Sequence, residues 1–130
     1  MISTLLADAN VIIRFLLNDH PKLSQEAKTI FSKAEKGVIK IYLDEVVLAE
    51  VVWTLSSFYK VKKTDLVDKL EKLLSQDWII NPRKSILFET LDLYKRSNVE
   101  YIDCWIFVVS KAQRLKLETF DKKLKKLRSK

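Results

Sequence analysis

The chain has 130 residues, of which 48% are hydrophobic and 32% charged, and its formal net charge is +7. This composition is typical of one globular domain large enough to bury a core, and it excludes a disordered chain. One glycine and one cysteine exclude a glycine-rich phosphate-binding loop, a disulfide framework and a cysteine-based zinc site. The single histidine, His20, disfavours hydrolases that use a Ser-His-Asp or Cys-His set. Carboxylates remain as the candidate chemistry.

The basic excess is confined to the C-terminal end of the chain. Residues 1–110 contain equal numbers of basic and acidic side chains, so the whole excess falls within residues 111–130. Such a block is typical of a surface that binds a polyanion, nucleic acid first and an anionic membrane second, or of a solvated tail. No segment has the roughly 18 uncharged apolar residues of a membrane span, and no signal peptide is visible. We therefore expect a cytoplasmic protein.

Apolar periodicity predicts short strands that alternate with amphipathic helices. Strands are expected at residues 2–7, 38–43, 78–80 and 115–118. Helices are expected at residues 10–17, 23–36, 44–59, 64–74, 81–97 and 103–114, followed by a basic helix at about 121–130. This alternation indicates a single α/β domain over residues 1–130 with a mainly parallel sheet, in which ligands bind at the carboxyl ends of the strands.

Four acids are not accounted for by this pattern. Asp8 follows the first strand, Glu50 is the only charge among residues 46–55, Asp103 precedes six apolar residues, and Asp121 follows the last predicted strand. A helix that is apolar on every side is buried, so Glu50 is expected inside the fold. Each acid also has an ordinary alternative. Asp8 suits a turn, Glu50 an ion pair or a helix rim, and Asp103 and Asp121 suit helix N-caps.

Together, the four acids indicate a metal site. Carboxylates brought close together repel one another, and a hard divalent cation such as Mg²⁺ or Mn²⁺ relieves that repulsion. An ion held in this way can activate water and polarise a phosphoryl oxygen. Combined with the basic C-terminal block, this chemistry favours a phosphodiester substrate.

Four segments resemble, in order and spacing, the motifs of PIN-domain nucleases. They are residues 6–14 (LADANVIIR), 48–55 (LAEVVWTL), 101–103 (YID) and 119–124 (TFDKKL). At this length the chain is similar to the VapC toxins of toxin–antitoxin pairs. The resemblance implies a three-layer α/β/α domain that cleaves RNA with Mg²⁺ or Mn²⁺, usually as a homodimer restrained by an antitoxin protein.

The resemblance also assigns roles to individual residues. It makes Asp8, Glu50, Asp103 and Asp121 the catalytic, metal-binding quartet, with Asn10 and Thr119 as polar supports beside it. One departure is the bulky pair Cys104-Trp105 after the third acid, where small residues are usual in the family. This bulk affects the expected RNA more than the expected metal.

Side chains around the quartet suggest an RNA-binding surface. Phe120, Leu124 and Leu127 are spaced to share one helical face, which predicts that the basic tail docks as a helix. The side chains expected to point outward and bind RNA are Lys122, Lys123, Lys125 and Lys126. Trp53, on the same helical side as Glu50, is expected in the core, with base stacking as the alternative.

Two other function classes compete with a nuclease. One is a nucleic-acid-binding module whose acidic cluster is structural or degenerate. The other is a phosphoacceptor domain in which Asp8 is the acceptor, although such a role does not require acids within the apolar runs around Glu50 and Asp103. RNA binding without metal-dependent cleavage would select the first, and labelling by acetyl phosphate would select the second.

Overall fold

The computed structural model describes residues 2–129, and the chain divides into two compact units, Met1–Pro82 and Arg83–Lys130. A single domain over residues 1–130 remains a prediction. Among the described residues, no helix combines the length and the hydrophobicity that crossing a membrane requires.

The first unit alternates strands and helices. Its elements are β1 (Ser3–Leu6), α1 (Ala9–Leu17), α2 (Pro21–Glu35), β2 (Ile39–Tyr42), α3 (Glu45–Trp53), a π-helical turn (Thr54–Phe58, the π turn), α4 (Lys63–Leu74) and β3 (Ile79–Ile80). The strands form a parallel sheet in the order β1-β2-β3, which aligns Leu6 with Tyr42 and Tyr42 with Ile80. The predicted α/β class with a parallel sheet is confirmed.

Local side-chain chemistry explains where several elements begin and end. Asp8 Oδ1 accepts a hydrogen bond from the N–H of Val11 at 3.1 Å, and Asp44 Oδ1 accepts one from Val46 at 2.8 Å. These N-caps satisfy backbone donors that the first turn of a helix leaves unpaired, and each is worth about 1 kcal/mol. After α2, Gly37 adopts a φ of +82°, the left-handed conformation that favours glycine at a helix end.

The core of the first unit lies where the helices pack against β2 and β3. Its fully buried large side chains are Ile12, Phe31, Ile41, Leu43, Leu48, Leu55, Leu66, Leu70, Leu74 and Ile79. Burial of such side chains contributes roughly 1.5–3 kcal/mol each. Phe31 also stacks on Phe15 at 4.0 Å between ring centroids and meets Trp78 edge-on at 5.8 Å. The side chains of β1 are exposed.

The second unit is helical. It contains α5 (Lys84–Arg96), α6 (Tyr101–Ala112) and α7 (Lys122–Arg128). Helices α5 and α6 pack against each other, with Leu87, Leu91, Cys104 and Val108 buried. Leu124 of α7 is 3% exposed, and α7 packs against α6. Cys104 is therefore a buried thiol.

The predicted strand at residues 115–118 is wrong, because among residues 2–129 only β1, β2 and β3 are strands. Backbone groups of this segment have other partners. The N–H of Leu115 donates to the carbonyl of Ser110 at 2.7 Å, and the carbonyl of Leu117 accepts from Arg128 Nη1 at 3.0 Å. The segment is thus held by the end of α6 and by α7 rather than by a neighbouring strand.

The predicted helix start at residues 81–82 is also wrong. The side-chain amide of Asn81 donates to the carbonyl of Leu43 at 2.8 Å and to the carboxylate of Glu45. Helix α5 begins at Lys84, without a side-chain cap bond. The amide of Asn81 instead joins the end of β3 to the connection between β2 and α3.

Phe120 does not share a helical face with Leu124 and Leu127. It precedes the N-cap residue Asp121 and is 98% exposed, whereas Leu124 is buried. The predicted apolar face includes Phe120, but the carboxylate of Asp121 caps α7, so the helix begins after Phe120.

Candidate active site

The carboxyl ends of the parallel strands place Asp8 at one edge of the sheet. Leu6 and Tyr42 are aligned across β1 and β2, and Asp8 and Asp44 each lie two residues further along the chain. The two aspartates therefore occupy equivalent positions beyond neighbouring strands, which run about 4.8 Å apart in a sheet. Asn81 follows β3 at the same edge. This is the edge at which ligands collect in parallel sheets.

Asp8 combines two roles at this edge. Its Oδ1 caps α1, and its side chain is exposed. It also lines a cavity of about 200 Å³, together with Leu6, Ala7 and Val11. Because the cap occupies one carboxylate oxygen, the other remains available for a ligand. The turn-and-cap role and a ligand role are therefore compatible.

Glu50 is exposed, so the expectation that it is buried is wrong. Helix α3 does bury Leu48, Val51 and Val52, but its opposite side faces solvent. Trp53 lies on that side and is 65% exposed, so its predicted place in the core is also wrong. Apolar residues of α3 are exposed beside Glu50. An apolar run in the sequence does not show which of its residues are buried and which are exposed.

Asp103 lies within the first turn of α6. The helix begins at Tyr101, two residues earlier than predicted, and Glu100 occupies the N-cap position. Asp103 is therefore not an N-cap. Partial burial raises the pKa of Asp103 above its ordinary value, and repulsion by Asp121 and then by Glu100 raises it further. Within the second unit, the carboxylates of Asp103 and Asp121 are close enough to repel each other.

The fourth acid is held by backbone contacts on both sides. Asp121 Oδ1 accepts a hydrogen bond from the N–H of Leu124 at 3.0 Å, which makes it the N-cap of α7. Its own N–H donates to Thr119 Oγ1 at 3.0 Å. Thr119 thus contacts the backbone of Asp121, while Asn10 is exposed in the first turn of α1.

Sequence reasoning missed Glu100, whose charge acts on Asp103. A signal was present, because Glu100 precedes Asp103 by three residues and such pairs are neighbours on a helix. A helix that begins at Asp103, as the sequence predicts, excludes Glu100 and hides this pair.

The donor chemistry of the second unit fits a hard cation. Mg²⁺ is commonly bound through one or two carboxylates and keeps several waters, and the mutually repelling pair Asp103 and Asp121 supplies two. Within residues 2–129, the structure brings together no group of three or more His, Cys, Asp or Glu side chains that could hold a metal ion. The first unit contributes Asp8 and Glu50 to the predicted set.

Helix α7 presents a fixed basic surface. Lys122, Lys125 and Lys126 are exposed, while Lys123 Nζ donates to the carbonyl of Asn98 at 3.0 Å. Leu124 anchors the helix from its opposite side. Lys130, the last residue of the predicted basic helix, lies outside the described residues.

Comparisons with known proteins identify the family of the chain. The PIN domain family model matches residues 5–130. The chain is 26% identical, over 123 residues, to a VapC ribonuclease of Aquifex aeolicus (strain VF5), a match that covers 94% of this chain and 90% of that protein. No solved structure matches the chain. The family match agrees with the predicted three-layer α/β/α class. Since the matched range covers nearly the whole chain and all four acids, the chain belongs to the PIN domain family.

Proposed function

We propose that this protein is an endoribonuclease that hydrolyses RNA phosphodiester bonds with Mg²⁺ or Mn²⁺. The observation that carries the proposal is the PIN domain match over residues 5–130. A divalent cation would relieve the repulsion that raises the pKa of Asp103 beside Asp121. In this proposal Asp8 and Glu50 complete the metal-binding and catalytic set. Similarity to a VapC ribonuclease supports RNA as the substrate.

The acids and the lysines of α7 have different roles in the proposed reaction. The bound ion would lower the pKa of a water molecule and polarise a phosphoryl oxygen. The water oxygen forms a bond to phosphorus as the bond from phosphorus to the leaving ribose oxygen breaks. An acid of the set would accept the proton of the water, and the leaving ribose oxygen would take up a proton as the bond to phosphorus breaks. The exposed lysines of α7 would hold the flanking phosphates.

We further propose that the protein is the toxin of a toxin–antitoxin pair and acts in the cytoplasm. The support is the match to a VapC ribonuclease over most of both chains, together with the family resemblance of the four motifs. The proposal includes a cognate antitoxin protein as partner and a homodimer as the functional form.

The test is cleavage of a total RNA pool in Mg²⁺ and in EDTA, followed by mapping of the new ends. We expect defined ends only with the metal. Asp8→Asn should lower cleavage by at least about two orders of magnitude, the scale of losing an acid–base or metal function. Asn also caps helices well, so α1 should survive the change. Asp77 is an exposed aspartate in a loop. The variant Asp77→Asn is the matched control and should cleave RNA as the unsubstituted protein does.

Two outcomes would replace the proposal. Equal cleavage in Mg²⁺ and EDTA would remove the metal from the mechanism. RNA binding without any metal-dependent cleavage would favour a nucleic-acid-binding module, the alternative that the exposed basic face of α7 supports.

A further inference from the structure

Two large aromatic rings of the first unit lie exposed just after Glu50. Trp53 is 65% exposed and Phe58 is 71% exposed. They are five residues apart across the π turn, in which the N–H of Tyr59 donates to the carbonyl of Thr54 at 3.1 Å. The hydrogen bonds of a π-helix join residues five apart, so the two rings are separated along the helix by little more than one turn.

The ring of Phe58 is held in place by its neighbours. Tyr59 meets it edge-on at 5.0 Å between centroids, and Arg14 Nη1 donates to the Tyr59 hydroxyl at 3.3 Å. Arg14 is itself fixed by the carboxylate of Asp19 at 3.1 Å. The contacts of Tyr59 with Phe58 and with Arg14 therefore hold the exposed ring in a fixed position.

Two lysines follow the rings. Lys60 and Lys62 are both exposed. Lys60 adopts a left-handed backbone conformation with φ of +56°. The next residue, Val61, donates its N–H to the carbonyl of Leu55 at 2.8 Å and closes the end of the π turn. This closure fixes the backbone that carries the two cationic side chains, two and four residues after Phe58.

Large apolar side chains grouped on a surface are typical of a binding site. The charges of neighbouring residues indicate which kind of partner binds there. A symmetric contact between two copies would bring the same surface of each copy together, lysines included, and the like charges would repel. A polyanion with flat apolar rings suits both features. Bases stack on aromatic side chains irrespective of sequence, and lysines neutralise phosphates.

We propose that Trp53 and Phe58 stack bases of a single-stranded RNA segment while Lys60 and Lys62 bind its phosphates. The stacked strand would pass beside Glu50, which lies three residues, or one helical turn, before Trp53. The inference deepens the proposed ribonuclease function and rests on it. It makes Trp53 a positioning residue, which sets affinity for RNA rather than the rate of the chemical step.

The test measures binding of the full chain to two labelled RNA strands of equal length in EDTA, which prevents cleavage. One strand carries bases and the other is abasic. Trp53→Ala should weaken binding of the strand with bases by about 5- to 150-fold, the range expected for losing one stacked base, and leave the abasic strand unaffected. Trp53→Phe should restore most of the loss. In Mg²⁺, Trp53→Ala should raise KM and leave kcat nearly unchanged.

Lys60→Gln and Lys62→Gln should weaken binding of both strands. Val46→Ala removes an exposed apolar side chain from the same helix without removing a ring, and Lys36→Gln removes an exposed charge from the end of α2. Both controls should bind as the unsubstituted protein does. Thermal melting of every variant shows whether a loss reflects unfolding.

Unchanged affinity and KM in Trp53→Ala, with normal cleavage by the unsubstituted protein, would overturn the stacking inference alone. A shift of Trp53→Ala from dimer to monomer in sedimentation, with unchanged binding of both strands, would also overturn it and assign the rings to a contact between copies. An unsubstituted protein that binds the strand with bases through Trp53 but never cleaves RNA would contradict the proposed nuclease and leave the stacking surface standing.

Discussion

The folded protein disfavours the ionised form of the Asp103 side chain. Partial burial, Asp121 and Glu100 raise its pKa, so the folded chain binds this proton more tightly than the unfolded chain does. The resulting stability is complete at pH values below the ordinary pKa of 3.8 and is lost as pH rises through the raised pKa. At neutral pH the ionised carboxylate therefore destabilises the fold.

Asp103→Asn should accordingly raise the melting temperature of the metal-free protein at pH 7, and the gain should shrink as pH falls towards 4. Thermal unfolding over a pH series in EDTA measures this difference. Asp77→Asn replaces an exposed aspartate and should show little gain at any pH. A gain for Asp103→Asn that is independent of pH would mean that charge repulsion is not its origin.

Single residues were predictable where their chemistry is local. Asp121 precedes the basic helix, and an aspartate in such a position caps the helix whatever lies further away. The exposure of Glu50 and Trp53 could not be predicted in this way. It depends on which side of α3 finds a packing partner, and the nearly continuous apolar run around them points to no side.

Helix α7 is the element that carries the basic excess. It begins at the cap residue Asp121 and is anchored by Leu124, so its lysines form a fixed surface. The triple change of Lys122, Lys125 and Lys126 to Gln should weaken RNA binding and flatten its dependence on salt. Each lost phosphate contact should lower the slope of log affinity against log salt by about 0.7 for a single strand.

Fluorescence anisotropy at several salt concentrations measures that slope. The same triple change at Lys22, Lys33 and Lys36, which are exposed on and beside α2, is the matched control and should leave the slope unaltered. If the α7 variant keeps the slope of the unsubstituted protein, the basic helix serves solubility or partner binding instead.

Elements were predictable where periodicity and end signals coincide, as for α2, which ends just before Gly37. The segment at 115–118 has strand-forming residues, but a strand also needs a neighbour with free backbone groups. Here the backbone of Leu115 and Leu117 is bonded to Ser110 and Arg128. Strand propensity is a property of the segment's own residues, so it does not reveal these hydrogen-bond partners.

For the whole molecule, the proposed metal site predicts coupling between ion binding and stability. An ion that binds only the folded chain adds about 2.7 kcal/mol to the free energy of unfolding at 100 times its Kd. Mg²⁺ or Mn²⁺ should therefore raise the melting temperature, more at neutral pH than at pH 5, since protonated carboxylates bind the ion less well. Identical melting of the protein in Mn²⁺ and in EDTA at neutral pH would contradict the site. Asp8→Asn should reduce the gain, and Asp77→Asn should keep it.

The π turn at Thr54–Phe58 has a consequence for the kinds of sequence change that the first unit tolerates. A π turn holds one residue more than an α-helical turn, and each residue of an α-helix advances the side-chain direction by about 100°. Deleting Ser56 or Ser57 would let α3 continue as a regular helix and would keep Phe58 on the side of Trp53, because residues four apart also share a face of an α-helix. Inserting one residue at the same place would instead turn Phe58 and Tyr59 by about 100° relative to Trp53. The segment therefore tolerates the loss of one residue better than the gain of one.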